Sequence, residues 1–379
     1  MFDVLIVGAG ISGAVLAERF ASGGKKVLVI ERRKNVAGNC YDELDENGIL
    51  VHKFGPHLFH TDDEQVWKYL SRFTEWQIYF HRVKAFVDGK PVPIPFNLNT
   101  LREVFPKNLA DKLEAALLRN FDYGKKIPIL ELKKSADADL QFLADFVYEK
   151  IFLHYTEKQW GLSPEKISGA VTARVPIFVG RDDRYFSDRF QAVPKRGYTH
   201  LVKNLLDHKN IKLLLNTDFR EVMELRGEKI FLFGQNFSGR VLYTGQLDEL
   251  FNKKFGELPY RSLAMNFETI DAEIFQAAPT VNYPNNFDFT RITEFKQIHS
   301  AHTSRTTILK EFPQAYVAGE NEPYYPIFTD EARAAYEKYS AELAAYKKIT
   351  AVGRLAEYRY FDIDDAVKRA LEIFDELRE

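Results

Sequence analysis

The first 31 residues contain the feature that most constrains how this chain can fold. An apolar run from Val4 to Val7 leads into glycines in the pattern G-x-G-x-x-G, and a second run from Val27 to Ile30 ends at an acidic residue. Between the runs, apolar residues recur at helical spacing up to a pair of glycines. Continuous apolar runs are typical of buried parallel strands. The segment therefore predicts a strand–helix–strand unit of the kind that binds dinucleotides.

Each residue of this fingerprint has its own physical task. Gly8 permits the tight turn, Gly10 lets the backbone approach a pyrophosphate, and Gly13 lets the helix pack close to the strand. The helix N-terminus offers N–H groups and a partial positive charge to the anion. Glu31 can accept hydrogen bonds from both ribose hydroxyls, and its charge disfavours the 2′-phosphate of NADP. A glycine turn in some other strand–helix–strand unit is the alternative interpretation.

The residues after Glu31 bear on which dinucleotide is bound. Arg32 and Arg33 follow directly, and the run V-A-G-N-C then supplies Gly38 and Asn39. This order of an acid, basic residues and a glycine resembles the flavoprotein extension of the fingerprint. Nicotinamide dehydrogenases usually continue into another strand–helix–strand unit, which this chain does not do. The segment therefore favours FAD over NAD.

Length and charge exclude several classes of protein. The chain has 379 residues, which is too long for one simple core and suggests two or three domains. Its net charge of -2 provides neither a basic field for nucleic acid nor a polybasic membrane patch. No apolar run reaches about 18 residues, the length that spans a bilayer. We therefore expect no nucleic acid and no membrane among its partners.

Cysteine usage bears on compartment and metal content. Cys40 is the single cysteine, so an intrachain disulfide and a cysteine-ligated zinc site are both excluded. The first residues lack a basic leader with a cleavage site. We expect a soluble, cytoplasmic protein in a reducing compartment. No spaced His/Glu pattern suggests a metal site, so we expect no metal.

Five later segments resemble the bacterial UDP-galactopyranose mutases. They come in the family's order and at about its spacing, and the resemblance covers nearly the whole chain. The segments are HKFGPHLFHT (His52–Thr61), YTEKQWG (Tyr155–Gly161), TARVPIFVGRDDRYF (Thr172–Phe186), EPYYPI (Glu322–Ile327) and GRLAEYRYFDID (Gly353–Asp364).

The resemblance implies an isomerase with an unusual use of flavin. Such enzymes interconvert UDP-galactopyranose and UDP-galactofuranose without net redox change, yet they need reduced, non-covalently bound FAD. Flavin N5 is the proposed nucleophile at the anomeric carbon, and UDP is the leaving group. Implied partners are the two nucleotide sugars, NAD(P)H or another reductant, and a second copy of the chain in a homodimer. The product would serve a cell-wall or surface polysaccharide.

The resemblance also assigns the substrate-binding residues. Arg174, on a lid, and Arg291 match the arginines that bind the diphosphate, and we regard both as catalytic because the leaving group gains charge in the transition state. A guanidinium bonds two phosphate oxygens at once. Tyr155 and Trp160 are assigned to the uridine; without the resemblance, a core tryptophan at the end of a helix is the alternative for Trp160. The other implied substrate residues are Tyr185, Asn282, Tyr325 and Tyr360.

The cofactor residues combine the fingerprint with the family's motifs. They are Gly8, Gly10, Ser12, Gly13, Glu31, Arg32, Asn39, Leu58, His60, Phe219, Arg354, Tyr360, Asp362 and Ile363. The tyrosine-rich segment near the end of the chain is thereby expected to form the far wall of the active site. Free N–H groups of a helix beginning at Asp362 suit ribityl or pyrophosphate oxygens. The aspartates there also favour that helix through capping and its dipole.

The predicted fold class is α/β, with a Rossmann-like FAD-binding domain, an inserted helical bundle and an antiparallel β-sheet substrate domain. The expected divisions are 1–80 with 195–245 and 320–379 for FAD, 98–165 for the bundle, and 81–97 with 166–194 and 246–319 for the sheet, with a mobile lid near 172–186.

Local patterns place several elements within this plan. A hairpin should turn at Asp88 and Gly89, and its prolines should keep it at a sheet edge. The strand KLLLN, residues 212–216, should rejoin the nucleotide-binding sheet.

Alternative functions remain open at this point. A flavin oxidase or dehydrogenase of the amine-oxidase type would share the fingerprint but has no need for the arginine lid or the terminal tyrosines. A non-catalytic nucleotide-sugar binding protein would need no flavin. A mutase that prefers UDP-N-acetylgalactosamine is a further alternative, because sugar breadth depends on the loop from His57 to His60.

Overall fold

A computed structural model describes residues 2–162 and 176–378. The strands are β1 (Val4–Val7), β2 (Val27–Ile30), β3 (Asp42–Leu44), β4 (Leu50–His52), β5 (Phe59–Thr61), β6 (Trp76–Ile78), β7 (Val83–Val87), β8 (Lys90–Ile94), β9 (Phe96–Asn97), β10 (Lys126–Pro128), β11 (Pro176–Phe178), β12 (Phe190–Pro194), β13 (Ile211–Leu214), β14 (Met223–Arg226), β15 (Lys229–Leu232), β16 (Gln235–Asn236), β17 (Arg240–Tyr243), β18 (Tyr260–Ile270), β19 (Thr280–Asn282), β20 (Arg291–Glu294), β21 (Thr306–Ala315), β22 (Tyr325–Pro326) and β23 (Ile349–Ala351).

The helices alternate with these strands in the first and last thirds and cluster in between. They are α1 (Ile11–Ser22), α2 (Glu64–Leu70), α3 (Leu98–Val104), α4 (Lys107–Asn120), α5 (Ile129–Leu132), α6 (Ala138–Val147), a π-helix (Tyr148–Leu153), α7 (His154–Trp160), α8 (Tyr198–Leu206), α9 (Phe219–Val222), α10 (Leu247–Leu250), α11 (Asp330–Leu343) and α12 (Ile363–Leu377). Short 3-10 helices occur at Gly38–Cys40 and Phe295–Gln297.

A parallel sheet built from both ends of the chain forms the nucleotide-binding core. Within the described ranges its order is β13-β2-β1-β17-β23, and each neighbouring pair is parallel. Helices α1, α8 and α12 pack together over one face, where Phe20 of α1 meets Phe374 of α12 edge to face. The prediction that the strand near residue 212 rejoins this sheet is confirmed. Strand β17, which lies beside β1, and strand β23, which lies beside β17, come from the later part of the chain. The sheet therefore brings segments from both ends of the chain to one site.

A second, larger sheet forms the wall opposite the nucleotide-binding core. Among the described residues its order is β22-β18-β21-β20-β19-β7-β8, antiparallel except for the parallel pair of β19 and β7. The predicted hairpin is present as β7 and β8, and β8 lies at the edge, as its prolines required. Helices α3 to α6 pack with β7, β8 and β11 around a separate apolar core.

Two strands of the segment predicted for the antiparallel sheet domain, residues 166–194, pair outside the large sheet. Strand β11 pairs with β9 and β10, and β12 pairs with β5 and β6. Strand partners depend on distant residues, which local pattern does not specify. The domain boundaries stay predictions. No helix in residues 2–162 or 176–378 is long and apolar enough to cross a membrane.

Candidate active site

The glycine turn after β1 is shaped partly by protein packing and partly by open space. Gly8 has a φ of +104°, and a β-carbon there would lie 2.1 Å from Thr244 Oγ1. A β-carbon on Gly13 would lie 2.0 Å from the carbonyl oxygen of Gly8, so only glycine lets α1 approach β1 this closely. At Gly10 the nearest atom to a β-carbon would be Gly38 Cα at 3.8 Å. The protein itself therefore leaves room at Gly10, as close approach by a ligand requires.

Glu31 is held rigidly at the end of β2. It is only 6% exposed. The N–H of Ala9 donates to its Oε2 and the N–H of Arg33 donates to its Oε1, each at 2.8 Å. Two backbone donors fix the carboxylate while leaving lone pairs for ribose hydroxyls. This geometry suits the task that the sequence predicted for Glu31.

A channel of about 220 Å³ runs from the glycine turn along the carboxyl ends of the parallel strands. Its wall combines the N-terminus of α1 with the segment that begins α12, where Asp362 N–H donates to Asp365 Oδ2 at 3.2 Å. The structure brings together there most of the predicted cofactor residues: Gly8, Gly10, Ser12, Gly13, Glu31, Arg32, Asn39, Phe219, Arg354, Asp362 and Ile363. Leu58, His60 and Tyr360, also predicted for the cofactor, line the adjoining cleft instead.

That adjoining cleft, of about 430 Å³, lies between the channel and the large sheet. It shares with the channel the residues Asn39, His57, Arg354, Asp362 and Ile363, so the two spaces are continuous. The predicted substrate residues Tyr155, Tyr185, Asn282, Arg291, Tyr325 and Tyr360 line it. Trp160 does not; it is 8% exposed and packs 5.8 Å from the Tyr325 ring and 6.2 Å from Phe328, centroid to centroid. In this structure Trp160 supports the cleft wall from behind.

Arg291 places a positive charge in the wall of the cleft. Its Nε donates to Glu311 Oε1 at 2.7 Å, in a register that places the two residues directly opposite on β20 and β21. Burial opposes the charged guanidinium, but the Glu311 carboxylate outweighs it and holds the pKa of Arg291 well above its ordinary value. Arg291 is therefore a permanent cation with N–H groups left for an anion. Sequence analysis missed Glu311, although an acid within the apolar run of β21 was a signal.

The whole-chain comparisons agree on one family. A family model described as UDP-galactopyranose mutase matches residues 150–360, and one described as an NAD(P)-binding Rossmann-like domain matches residues 6–73. A probable UDP-galactopyranose mutase of Klebsiella pneumoniae is 36% identical over 99% of this chain and 94% of its own length. The chain belongs to the UDP-galactopyranose mutase family.

Two further matches show the range of the family and its fold. A dTDP-fucopyranose mutase of Escherichia coli is 34% identical over 98% of this chain and 97% of its own length. A crystal structure of reduced UDP-galactopyranose mutase superposes with a TM-score of 0.77 at 17% identity, covering 100% of this chain and 96% of the other. The predicted fold class is thereby confirmed.

Membership of the UDP-galactopyranose mutase family identifies the cofactor as FAD. The channel fits this group: the open space at Gly10 suits a pyrophosphate, the fixed carboxylate of Glu31 suits a ribose, and the continuous cleft gives a flavin ring access to substrate. The prediction of FAD is confirmed.

Stacked rings and a second arginine form the mutase cleft's wall near the end of the chain. The rings of Tyr325 and Tyr360 are nearly parallel, at 9°, with centroids 6.1 Å apart. The Arg354 guanidinium lies 4.8 Å from the Tyr360 ring centroid and donates to the carbonyl oxygens of Phe361 and Tyr324. Arg354 therefore fixes the tyrosine-rich segment while adding positive charge where the two spaces meet.

Histidines line the opposite wall of the cleft. His60 Nδ1 lies 3.2 Å from Asp188 Oδ2, and the His60 ring stacks on Phe186 at 3.7 Å. Burial lowers the pKa of His60, but the Asp188 contact outweighs it and the net pKa is raised. Burial lowers the pKa of His57 to about 4 and that of His81 to about 3, so both are neutral near pH 7. Sequence analysis did not select His81, and it treated His57 only as part of a loop.

One predicted catalytic residue cannot be compared with the geometry. Arg174 lies outside the described residues, as do all other residues of the proposed lid before Pro176. The described part of that lid contributes Pro176, Tyr185 and Phe186 to the cleft. Among residues 2–162 and 176–378, no group of three or more His, Cys, Asp or Glu side chains is placed to hold a metal ion.

Proposed function

We propose that this protein interconverts UDP-galactopyranose and UDP-galactofuranose while its FAD is reduced. One observation supports this most directly: the cofactor channel opens into a cleft that contains a partly buried arginine, anchored by the buried Glu311 carboxylate, and a wall of tyrosines. A flavin oxidase needs access to its flavin but not a cationic seat for a diphosphate. The arrangement therefore favours the mutase activity of the family over the oxidase alternative.

The residues of the cleft account for binding and for departure of the leaving group. Reduced flavin, when bound, supplies the nucleophile for the anomeric carbon. Arg291 would bind the diphosphate with the guanidinium edge that Glu311 leaves exposed, and it would stabilise the charge that UDP gains on leaving. The same contact would hold UDP nearby for recapture after the sugar ring has changed size. We also propose that Arg174 binds the diphosphate from the lid.

The tyrosines would orient the diphosphate and exclude water. Burial raises the pKa of Tyr325 to about 12, so its hydroxyl stays protonated and can donate to a phosphate oxygen. Tyr360 stacks beside it, and Tyr155 and Tyr185 face the same space. Tyr155 is proposed for the uridine, with Trp160 bracing Tyr325 from behind. Excluding water would protect the opened sugar from side reactions.

Reductant, assembly and compartment complete the proposal. NAD(P)H, or another reductant, would reduce the FAD before turnover, and the protein would act as a cytoplasmic homodimer. Buried Cys40, whose pKa burial raises to about 12, fits a reducing compartment because the thiol is protected and unreactive. Size measurement by light scattering tests the dimer, and anaerobic flavin bleaching by NADH or NADPH tests the reductant.

A second substrate deserves measurement because of one specific finding. The dTDP-fucopyranose mutase is nearly as similar to this chain as the Klebsiella protein, at 34% against 36% identity. The two substrates differ at the 6-position of the transferred sugar, at the 5-methyl group of the base and at the 2′-hydroxyl of the nucleoside. Either difference could be accommodated by side chains around the cleft, so dTDP-fucopyranose is the alternative substrate.

Product analysis under anaerobic conditions tests the function. Dithionite-reduced protein is incubated separately with UDP-galactofuranose, UDP-N-acetylgalactosamine and dTDP-fucopyranose, and the nucleotide sugars are separated by chromatography. We expect rapid conversion of UDP-galactofuranose to the pyranose by reduced protein and no conversion by oxidised protein. If flavin-loaded, reduced protein formed no pyranose, the proposal would be refuted. If the protein turned over dTDP-fucopyranose faster than UDP-galactofuranose, dTDP-fucopyranose would replace UDP-galactose as the proposed substrate.

A further inference from the structure

Three histidines connect the end of the Arg291 strand to the junction of channel and cleft. The main-chain N–H of His57 donates to His52 Nδ1 at 2.9 Å. His52 Nε2 lies 3.0 Å from Nε2 of His299, which follows β20 by way of the 3-10 helix. His57 itself lines both the channel and the cleft. A continuous chain of contacts therefore leads from the substrate strand to the loop beside the flavin.

The hydrogen bonds permit one arrangement of protons on these rings. His52 Nδ1 accepts from a main-chain N–H, so it carries no hydrogen and the His52 proton is on Nε2. That N–H points to His299, whose Nε2 must accept and whose own proton must be on Nδ1. His299 Nδ1 is buried and finds no hydrogen-bond partner among residues 2–162 and 176–378. A buried donor with no partner costs free energy, so another advantage must compensate for it.

Burial keeps both rings in this neutral form. His52 is 0% exposed and His299 is 5% exposed. Burial lowers the pKa of His299 to about 4, and burial together with neighbouring His299 and His57 lowers that of His52 well below its ordinary value. The rings of Tyr198 and Phe295 pack against His52 at 5.8 Å and 5.4 Å. A proton on either ring would break one of the two hydrogen bonds, so charge is excluded for a structural reason.

We propose that His299 and His52 are positioning residues, which fix the main chain of His57 at the junction of the cofactor channel and the substrate cleft. They link that position to the strand that carries Arg291. The diphosphate site and the flavin side of the cleft are thus held at a fixed distance, which a displacement reaction requires. The kinetic part of the test rests on the proposed mutase function.

Two substitutions at one position separate hydrogen bonding from packing. His299→Phe keeps an aromatic ring but removes the acceptor for His52. His299→Gln loses the ring but places an amide oxygen near the position of Nε2. His302→Phe, at an exposed position three residues further on, is the control for adding an apolar ring to this loop. Each variant is purified with FAD, and flavin content, kcat and KM are measured.

We expect His299→Phe to keep its FAD and to lose about tenfold in kcat, with a smaller change in KM, because reacting groups are misplaced rather than unbound. His299→Gln should recover most of the loss, and His302→Phe should match the wild type. Full activity of His299→Phe would overturn the proposal. A loss in the Gln variant as large as or larger than that in the Phe variant would also overturn it, because a hydrogen-bond acceptor at this position would then restore nothing.

Nuclear magnetic resonance of the unmodified protein supplies a test that does not depend on activity or on folding of the variants. In histidine-labelled holoprotein, long-range proton–nitrogen spectra report which ring nitrogen carries hydrogen. We expect Nε2–H for His52 and Nδ1–H for His299 at pH 7. A charged ring or the opposite tautomer at either residue would refute the hydrogen-bond chain. Failure of the mutase assay would leave this result unaffected, so the two proposals can fail separately.

Discussion

Gly10 and Gly13 are only three residues apart, but a β-carbon would meet different surroundings at each. Gly10 has a φ of −73°, which alanine adopts freely, and its surroundings are open. We expect Gly10→Ala to leave the FAD-free protein as stable as the wild type, or more stable by up to about 1 kcal/mol, because alanine restricts the unfolded chain. FAD affinity should fall at least about tenfold, because the methyl group occupies the space of the pyrophosphate. Thermal unfolding of stripped protein and fluorescence titration with FAD measure the two effects.

Gly13→Ala is the matched control for this prediction. Its β-carbon would collide with the backbone of Gly8, so it should destabilise the protein with or without FAD. If Gly10→Ala bound FAD as tightly as the wild type, the channel would not be the pyrophosphate site. If Gly10→Ala destabilised the FAD-free protein as much as Gly13→Ala does, the space at Gly10 would be needed for the fold rather than for FAD.

Glu311 offers a second prediction at the level of single residues. The side chain is fully buried and its carboxylate is the partner of Arg291. Glu311→Gln keeps the shape but removes the charge, so the guanidinium loses its counter-ion. We expect a loss of about 1–3 kcal/mol in the free energy of unfolding, measured by denaturant titration. We also expect weaker binding of UDP, because a mobile Arg291 is less well oriented.

A more exposed pair on β18 and β21 of the same sheet provides the control. Lys310 Nζ lies 2.8 Å from Glu268 Oε1, and the glutamate side chain is 36% exposed. Glu268→Gln should cost less than about 1 kcal/mol, as exposed ion pairs usually do. Equal losses at the two glutamates would show that burial of Glu311 contributes nothing beyond an ordinary surface pair.

Sequence predicted the residues of the channel better than the pairs within the cleft. The fingerprint residues from Gly8 to Glu31 act through local geometry, so their spacing along the chain was enough. Glu311 and His299 act through partners on other elements, and their significance appears only once strand register and loop packing are known. For Trp160 the family resemblance predicted contact with the uridine, which stays a prediction; in the structure its ring packs against Tyr325 behind the cleft wall.

At the scale of elements, the segment around β12 leads to a prediction about how stability depends on pH. Asp188 lies just before β12, and His60 lies on β5. The contact between them joins the segment that follows the proposed lid to the loop that lines the cleft. The Asp188 contact raises the pKa of His60 against the opposing effect of burial, and the His60 contact lowers the pKa of Asp188. The stabilisation by His60 is complete below its unfolded pKa of about 6.5 and is lost as pH rises through the raised folded value.

The aspartate sets the other limit of this pH window. Its stabilisation is complete above its unfolded pKa of about 3.9 and is lost as pH falls through the lowered folded value. A double-mutant cycle with His60→Gln and Asp188→Asn should therefore give a coupling of about 1 kcal/mol between about pH 4 and 6.5. The coupling should disappear well above pH 7. Chemical denaturation at several pH values measures it.

The exposed pair of His154 and Glu157 is the control for that cycle. Both side chains are more than 40% exposed, although the atoms are 3.1 Å apart. We expect a coupling below about 0.5 kcal/mol at every pH, because water screens the charges. A coupling at His60 and Asp188 that did not change between pH 5 and pH 9 would show that their contact does not depend on the charged imidazole.

The position of an element was predictable from sequence where a local signal specified it. It was not predictable where strand pairing with distant residues determined it. The edge position of β8 followed from its prolines. The partners of β11 and β12 were not predicted, because short strands can pair with several neighbours and their sequences do not specify which one.

At the scale of the whole molecule, the parallel sheet explains why the cofactor site needs both ends of the chain. Strand β1 lies between β2 and β17, and β17 lies beside β23, which leads into the tyrosine-rich segment and α12. The lining of the channel therefore combines residues from the first 40 with residues after 350, and residues between 217 and 249 complete it. Binding of FAD should stabilise both walls together, by about 2.7 kcal/mol when free FAD exceeds its dissociation constant a hundredfold.

Amide hydrogen exchange distinguishes this shared stabilisation from a local one. We expect FAD to slow exchange both in the first turns of α1 and between Gly353 and Ala366, because each segment forms a wall of the channel. Helix α4, which packs in the separate helical core, should be unaffected and serves as the internal control. UDP added to the FAD-bound protein should instead protect α7 and the segment from β19 to β20. Protection by FAD limited to the glycine turn would mean that the end of the chain does not contact the cofactor, and would remove Arg354 and Asp362 from its site.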